Sequence, residues 1–299
     1  MHYFPFQKVS EVNCKQLTNK EFILAKADLH THSLFSDGKL SPTELTEKAK
    51  AKGLVALALT DHDTIDGLPE AKKACKELGL QFINGVEITS DFNGKEAHVL
   101  AYGFSLNNNE LNEFLKNQNE LRENRIRSMI EKLQIMDVSL TFESIKEISG
   151  NGSIGRPHLA KALVNAGYAK NSSMAFSKYI GNYSPAYFKS DHCDYKEVIK
   201  VIHRAKAKAI LAHPARNYTD EELNEWIYHG IDGFEMIHPT HPYPLQQKYE
   251  NLSNQYGLLK TGGSDYHGFY SKDEVYFGVV TINTLIVQNL VTLQKENNG

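Results

Sequence analysis

The chain has 299 residues, of which 41% are hydrophobic and 23% charged, which is ordinary for a globular protein and sufficient for one barrel-sized domain with an insertion. Its net charge of −3 gives no reason to expect binding to long duplex nucleic acid. Its three widely spaced cysteines exclude a disulfide framework and favour a reducing cytoplasm, and no apolar run is long enough to span a membrane. Residues 1–20 lack an apolar core, so we expect no signal peptide.

The first part of the chain alternates predicted strands and helices. Residues 22–29 form an apolar strand. Ser41 begins a helix as its N-cap, with Pro42 at the first helical position and Glu44 completing a capping box. Further strands are predicted at 54–60, 80–86 and 96–104, and a further helix at 68–78. These repeated units predict a parallel α/β architecture.

The strand pattern is interrupted between residues 106 and 190. Residues 109–135 carry an apolar stripe at helical spacing among many charged residues. Shorter helices are predicted at 141–149, 156–166 and 172–180. Residues 106–190 are therefore predicted to be an inserted helical subdomain.

The α/β pattern returns after the insertion and continues to the end of the chain. Helices are predicted at 194–207, 219–228 and 244–256, and strands at 208–212, 232–237, 258–261 and 276–282. We therefore expect a barrel formed by residues 22–105 and 191–285, followed by a C-terminal helix at 286–299.

Potential metal ligands follow the predicted strands in four short segments. The segments are 28–32 with Asp37, 60–63, 212–214 and 263–267. Because alternate residues of a strand share a face, His30 and His32 point the same way, and so do Asp265 and His267. Functional groups gather at the carboxyl ends of barrel strands, and imidazole and carboxylate groups bind divalent metals. A lone histidine there is more often structural, but four such segments together predict a metal-dependent hydrolase.

The combined pattern resembles the polymerase and histidinol phosphatase (PHP) superfamily. The motifs that carry the resemblance are 28–32, 36–38, 60–63, 85–87, 212–214 and 263–267. Within the superfamily, Gly-Arg-Pro-His at 155–158 and His-Pro-Ala-Arg at 213–216 resemble the stand-alone nucleotide phosphatases. Those enzymes act on 5′-nucleotides and nucleoside 3′,5′-bisphosphates, and some trim short RNA from its 5′ end. The resemblance implies a distorted (β/α)7 barrel with a helical insertion and two to three divalent ions, drawn from Mn, Fe, Zn and Mg.

The resemblance also implies which residues bind each ion. The first ion would be bound by His30, His32, Glu87 and Asp265, the second by Glu87, His98 and His213, and the third by Asp37, His62 and His267. Glu87 would bridge the first two ions. Asp37 stands where the superfamily often has histidine, and a harder carboxylate ligand favours Mn²⁺, Fe²⁺ or Mg²⁺ over Zn²⁺. His98 lies in mid-strand and also fits a purely structural role.

A hydroxide bridging two metals is the implied nucleophile. Asp63 and His241 are candidate proton carriers, although Asp63 fits a ligand-orienting or helix-capping role equally well. Arg156 and Arg216 are candidate phosphate-binding residues because the guanidinium fork matches phosphate oxygens, with a surface salt bridge as the alternative. His158 either supports Arg156 or only begins the helix. The remaining arginines of the insertion, Arg122, Arg125 and Arg127, are interpreted as a solvated helix face.

The expected function is hydrolysis of a nucleotide phosphomonoester, either the 3′-phosphate of a nucleoside 3′,5′-bisphosphate or a 5′-nucleotide. The alternatives are a 5′-to-3′ exonuclease on short oligoribonucleotides, a histidinol phosphatase and a non-catalytic metal-binding module. The expected partners are a small nucleotide or short RNA, without long duplex nucleic acid or a membrane.

Overall fold

The computed structural model describes residues 25–189 and 191–298, and an eight-stranded sheet dominates this part of the chain. The strands are β1 (Lys26–Asp28), β2 (Ala56–Leu59), β3 (Gln81–Phe92), β4 (Lys95–Tyr102), β5 (Lys208–Leu211), β6 (Gly233–Ile237), β7 (Leu259–Gly262) and β8 (Ile282–Asn283). Neighbouring strands follow the order β7-β6-β5-β4-β3-β2-β1-β8. Leu29 N donates to Gly262 O, and Thr31 forms a bridge with Tyr266, so the ends of β1 and β7 meet and nearly close a barrel. The predicted (β/α) barrel is confirmed.

The sheet is mixed, whereas the repeated strand–helix units predict parallel neighbours. β1, β2 and β3 are parallel, as are β5, β6 and β7, but β4 is antiparallel to both β3 and β5. Asn93 and Gly94 join β3 to β4 with positive φ angles of 50° and 89°, which suit a two-residue hairpin turn. This hairpin extends β3 beyond its predicted end at residue 86. Glu87 therefore lies within the strand instead of just after it.

Among the described residues, ten of the helices agree closely with the predicted ones, and Ser271–Tyr276 is a helix that the sequence did not predict. The helices are α1 (Pro42–Ala51), α2 (Leu68–Leu78), α3 (Asn109–Ile135), α4 (Phe142–Ser149), α5 (Arg156–Asn165), α6 (Ser172–Ala175), α7 (Tyr195–Arg204), α8 (Asp220–Tyr228), α9 (Tyr243–Tyr256), α10 (Ser271–Tyr276) and α11 (Thr284–Asn298). A short π-helical segment at Phe176–Ile180 continues α6. The predicted capping box of α1 is present, since Ser41 accepts from Glu44 N and Glu44 accepts from Ser41 N.

The predicted strand at 276–282 is wrong. Its first residue ends α10, Gly278 turns the chain with a φ of 78°, and only Ile282 and Asn283 pair with β1. Phe277 is fully buried, with its ring centroid 4.6 Å from that of Tyr266. The apolar run therefore packs against the barrel as a turn rather than extending its sheet.

The segment between β4 and β5 has an apolar core of its own. Leu111 and Leu115, in the first half of α3, pack into the barrel core. Ile126 and Leu133, in its second half, pack with Leu159 and other residues of α4 to α6. One long helix therefore joins two cores, which supports an inserted subdomain; its boundaries at 106 and 190 stay a proposal.

Some predictions concern residues that the structure does not describe. Residues 1–20, Cys14 and the predicted strand start at 22–24 lie outside the described residues, as do 190 and 299. Within residues 25–189 and 191–298, no helix combines the length and the apolar character needed to cross a membrane.

Candidate metal and phosphate site

The candidate ligands lie at the end of the barrel where the parallel strands have their carboxyl ends. His30 and His32 follow β1 and are fully buried. Asp63, His213 and Asp265 follow β2, β5 and β7 and have positive φ angles of 53°, 26° and 53°. This left-handed conformation is unfavourable for residues other than glycine, and it concentrates at functional sites. The backbone is therefore strained where the motifs meet.

Glu87 lies at the centre of the cluster and presents one carboxylate oxygen to each of two histidine groups. Its Oε2 is 3.1 Å from His30 Nε2, 3.2 Å from His32 Nε2 and 3.3 Å from His62 Nδ1. Its Oε1 is 2.9 Å from His213 Nε2 and 3.0 Å from His98 Nδ1. A carboxylate in this orientation can bridge two cations.

The hairpin explains why His98 reaches Glu87. Glu87 pairs with Leu100 across the hairpin, and His98 is two residues from Leu100 on β4. Residues in this diagonal relation share a face of the sheet, and long side chains there are within reach of each other. The mid-strand position of His98 therefore directs its imidazole into the cluster.

Two further sets of donor atoms complete the cluster. Asp265 Oδ1 is 3.2 Å from His32 Nε2 and 3.4 Å from His30 Nε2, on the Oε2 side of Glu87. Asp37 Oδ1 is 3.3 Å from His267 Nε2, and Asp37 Oδ2 is 3.9 Å from His62 Nε2. Donor atoms of His30, His32, Glu87 and Asp265 lie within 4.8 Å of one another, as do those of His32, Asp37, His62 and His267, and those of His62, Glu87 and His98.

The chemistry of these donors fits divalent cations. Among the described residues, His32 Nε2, Asp37 Oδ1 and His62 Nδ1 are buried side-chain atoms that make no hydrogen bond of normal geometry, although each lies 3.2 to 3.3 Å from another donor atom of the cluster. Burial lowers the pKa of the His62 imidazole to about 3, which favours the neutral form that ligates metals. Burial also acts to lower the pKa of His267, but Asp37 and Asp265 outweigh it and raise that pKa to about 10. A cation held by these carboxylates would compete with the His267 proton.

Glu235 is a buried partner of the cluster that the sequence analysis did not identify. Its Oε1 is 2.9 Å from His30 Nδ1, and its Oε2 accepts a hydrogen bond of 2.7 Å from His213 N. A carboxylate on the far nitrogen of a ligating histidine orients the ring and fixes its tautomer. The available signal was a charged residue in the middle of the apolar strand β6.

Other polar partners hold the ligand loops. Asp61 accepts from Ser33 N, Ser33 Oγ and Ser36 Oγ, at 2.6 to 2.7 Å, and so shapes the loop between His32 and Asp37. Asp28 Oδ1 accepts from the backbone of His30 and Ser264. His238 Nε2 is 3.4 Å from Asp265 Oδ2. These contacts fix the geometry of the donors before any ion binds.

A small cavity of about 140 Å³ adjoins the cluster on the side of the insertion. Arg156 lines it, donating from Nη2 to Glu96 Oε1 at 2.8 Å and from Nη1 to Asn182 Oδ1 at 2.7 Å. Burial raises the pKa of Glu96, but Arg156 and Arg125 outweigh it and hold that pKa well below its usual range. The other side chains around the cavity include Asp37, His62, His98 and Arg122. An anion in this cavity would meet the guanidinium groups of Arg122, Arg125 and Arg156 and the histidine cluster.

A family model for the PHP domain matches residues 28–272. The chain belongs to the PHP domain family. A 5′-3′ exoribonuclease of Haemophilus influenzae is 36% identical over 247 residues, covering 81% of this chain and 90% of that protein. A 3′,5′-nucleoside bisphosphate phosphatase of Chromobacterium violaceum is 32% identical over 250 residues, covering 82% of this chain and 88% of that protein.

The fold is shared with solved structures of the same kind. A protein of Bifidobacterium adolescentis, described as a metal-dependent phosphoesterase, superposes with a TM-score of 0.80 and 31% identity, covering 89% of this chain and 96% of that one. This PHP-domain chain is therefore a metal-dependent hydrolase of phosphate esters, and its histidine and carboxylate clusters fit divalent ions. The alternative of a non-catalytic metal-binding module is set aside.

The interpretation of Arg122, Arg125 and Arg127 as a solvated helix face is wrong for the first two. Arg122 forms an ion pair with the buried Asp63 and donates from Nη2 to Thr89 Oγ1 at 2.6 Å. Arg125 is buried and donates to Glu96 Oε2 at 2.6 Å. Helix α3 of the PHP-domain insertion crosses the barrel mouth, where buried carboxylates require positive partners. Arg127 is exposed, as expected, and lies over the Phe142 ring.

The remaining predicted residues have different surroundings. His158 is buried and accepts from Gly155 N through Nδ1, which supports its role at the start of α5. His241 has both ring nitrogens engaged, Nδ1 donating to Met236 O and Nε2 accepting from Ala215 N. Arg216 is exposed on the loop that follows His213. Roles in proton transfer for His241 and in phosphate binding for Arg216 therefore stay predictions.

Proposed function

We propose that this enzyme removes phosphate from nucleotides, with a nucleoside 3′,5′-bisphosphate or a 5′-nucleotide as substrate. The observation that carries the proposal is the carboxylate of Glu87, whose two oxygens each contact a different group of histidines. The cluster around Glu87 opens directly onto the arginine-lined cavity. Phosphoryl transfer requires positive charge around the phosphate and accurate positioning, and this arrangement supplies both. The free thiols of Cys75 and Cys193 fit a reducing cytoplasm, where we place the enzyme.

In this proposal the cluster holds two to three ions. The first set of ligands is His30, His32, Glu87 and Asp265, the second is Glu87, His98 and His213, and the third is Asp37, His62 and His267. The Asp37 carboxylate favours Mn²⁺, Fe²⁺ or Mg²⁺ over Zn²⁺ at the third position. Bound ions supply the hydroxide nucleophile and offset the charge of the phosphoryl group under attack. Glu235 orients the His30 ring and the backbone of His213 for this task.

The protein's own groups then determine how the substrate lies. The Arg156 guanidinium can exchange its contact with Glu96 for the oxygens of a phosphate that does not react. Asp63 is ionised and paired with Arg122, so we assign it to positioning the 60–63 turn rather than to carrying a proton. During hydrolysis one P–O bond forms to the oxygen of a water that has lost a proton, one P–O bond to the leaving oxygen breaks, and the leaving oxygen takes up a proton in place of the one that the water released.

A second candidate function, 5′-to-3′ exonuclease action on short RNA, is favoured by a larger cavity. This cavity of about 900 Å³ begins at Asp37, Asp265 and His267 and extends between the barrel loops and the insertion. It offers more room than the phosphate cavity alone, and the Haemophilus influenzae relative has this activity. The same ligands would serve for a diester.

Removal of the metals is expected to abolish hydrolysis. Chelation followed by desalting should leave no measurable phosphatase activity, and Mn²⁺ or Fe²⁺ should restore it, because without ions the cluster's carboxylates repel the phosphoryl group and no group supplies the hydroxide. The measurement is phosphate release from adenosine 3′,5′-bisphosphate, adenosine 5′-monophosphate, histidinol phosphate and a short oligoribonucleotide, with metal content determined in parallel. Full activity in protein shown to be metal-free would refute the proposal.

Replacing Arg156 with alanine is expected to lower kcat/KM for the bisphosphate by about 10- to 150-fold, the range for losing a charge-assisted contact. The effect should lie mainly in KM, and it should be smaller for the monophosphate, which lacks the second phosphate. Arg127→Ala is a matched control, because this exposed arginine lies over Phe142, away from the cavity. An equal loss on both substrates would show that Arg156 only stabilises the insertion.

A further inference from the structure

The large cavity has an exposed aromatic wall beside the metal cluster. Phe269 and Tyr270 are each 50% exposed, and they follow the candidate ligand His267 directly along the chain. Gly268 makes the turn between His267 and Phe269, with a φ of 80°. Two adjacent exposed aromatic rings in a cavity wall are unusual, since large apolar groups in the open commonly mark a binding surface.

The loop that carries the two rings is held in place by backbone contacts. Tyr270 is the N-cap of α10, and its N–H donates to Asp273 Oδ2 at 3.2 Å. Lys39 N donates to His267 O at 2.8 Å, which ties the start of the loop to the barrel. The rings are therefore presented on a fixed backbone, and binding there requires little further ordering.

Two lysines that line the cavity lie against these rings, one from the insertion and one from the barrel. Lys161 Nζ, on α5 of the insertion, is 5.6 Å from the centre of the Phe269 ring. Lys272 Nζ, on α10, is 5.4 Å from the centre of the Tyr270 ring. Within residues 25–189 and 191–298, no carboxylate lies within ion-pair distance of either lysine. Both ammonium groups are therefore available to an anion that lies along the rings.

The carboxylates of the same cavity are largely engaged elsewhere. Glu70 accepts from Thr43 N and Thr43 Oγ1, and Asp273 accepts from Tyr270 N. Asp37 and Asp265 belong to the metal cluster at the inner end. Glu147 lines the cavity as an exposed residue of α4, outside the pair of rings and their two lysines. The wall formed by Phe269 and Tyr270 thus combines flat apolar rings with two ammonium groups, which is the combination that binds single-stranded nucleic acid.

We propose that Phe269 and Tyr270, with Lys161 and Lys272, form a subsite for the nucleotide that follows the scissile phosphate of a short single-stranded oligonucleotide. The base stacks on the aromatic rings, and the lysines contact the phosphate on the 3′ side of that nucleotide. This inference rests on the proposed function, because it places the reacting phosphate at the Glu87 cluster. Stacking accepts any base, so the subsite selects for chain length and not for sequence.

The test compares adenosine 3′,5′-bisphosphate with 5′-phosphorylated triadenylate in the Phe269→Ala/Tyr270→Ala double variant. The variant should lose about 5- to 150-fold in kcat/KM on the trinucleotide, the equivalent of one lost stacking contact, and less than about 2-fold on the bisphosphate. Phe269→Trp should retain activity on the trinucleotide, since a larger ring still stacks. Tyr228→Ala is the matched control, an 84% exposed tyrosine on α8 that does not line the cavity.

Three outcomes would overturn the subsite. These are an unchanged trinucleotide rate, an equal loss on both substrates, and a wild-type enzyme that hydrolyses the bisphosphate but neither binds nor hydrolyses the trinucleotide. The proposed function would survive each of them. Binding of 3′-fluorescein-labelled triadenylate, measured with and without the double substitution in a Glu87→Gln background, tests the subsite without turnover. Weaker binding caused by the double substitution there would support the subsite even if no substrate of the panel is hydrolysed.

Discussion

Glu87→Gln is expected to lower the metal content of the enzyme and to reduce kcat by more than about 100-fold, the upper end of the loss seen for outer partners of metal ligands. Glu87 contacts five histidines through its two oxygens, and an amide offers one neutral oxygen in place of two charged ones. The bridge between the two histidine groups would therefore be lost. Metal analysis of the purified variant and steady-state kinetics with added Mn²⁺ measure both effects.

The matched control is Asp91→Asn on the same strand. Asp91 carries its charge at the far end of β3, where it pairs with the exposed Lys189. The Asp91→Asn variant should keep wild-type metal content and kcat. If Glu87→Gln also kept both, the site would be misplaced, and the assignment of the first two ions would have to be abandoned.

Arg122→Met is expected to destabilise the folded protein by about 3–5 kcal/mol, because it leaves the Asp63 carboxylate buried without its partner. Although burial raises the pKa of Asp63, the Arg122 charge outweighs it and lowers that pKa in the native protein. The variant should also lose activity, since the 60–63 turn carries His62. Urea unfolding at neutral pH measures the loss of stability.

The pH dependence of this loss has a defined sign. In the native protein the lowered pKa of Asp63 contributes stability above the ordinary value of 3.8, and this contribution disappears as the pH falls through the folded pKa. In Arg122→Met, burial alone should raise the pKa of Asp63. Lowering the pH should then protonate this carboxylate and remove the destabilisation caused by an unpaired buried charge. The difference in the free energy of unfolding between the native protein and Arg122→Met should therefore become smaller below about pH 4. Arg127→Met is the control, and Asp63→Asn/Arg122→Met should regain part of the stability.

The sequence was sufficient for those features that depend on neighbouring residues. Strand and helix periodicity, the Ser41 capping box and the alternation of His30 with His32 are local, and the structure shows each of them. The motifs were also sufficient to predict the barrel, because barrels bring the carboxyl ends of their strands to one rim. As a result, the candidate ligands named from the sequence lie around Glu87.

Only the tertiary structure could decide how distant segments pair. Glu235 reaches His30 across 205 positions of the chain, and Arg122 reaches Asp63 across 59, so no local pattern reports either contact. A buried charge is stable only beside its partner, and the partner is chosen by how the insertion crosses the barrel mouth. The same crossing determines which arginines enter the phosphate cavity and which, like Arg127, stay in solvent. The sequence by itself determined the kind of chemistry at this site, whereas the packing of the insertion on the barrel decided the surroundings in which a substrate binds.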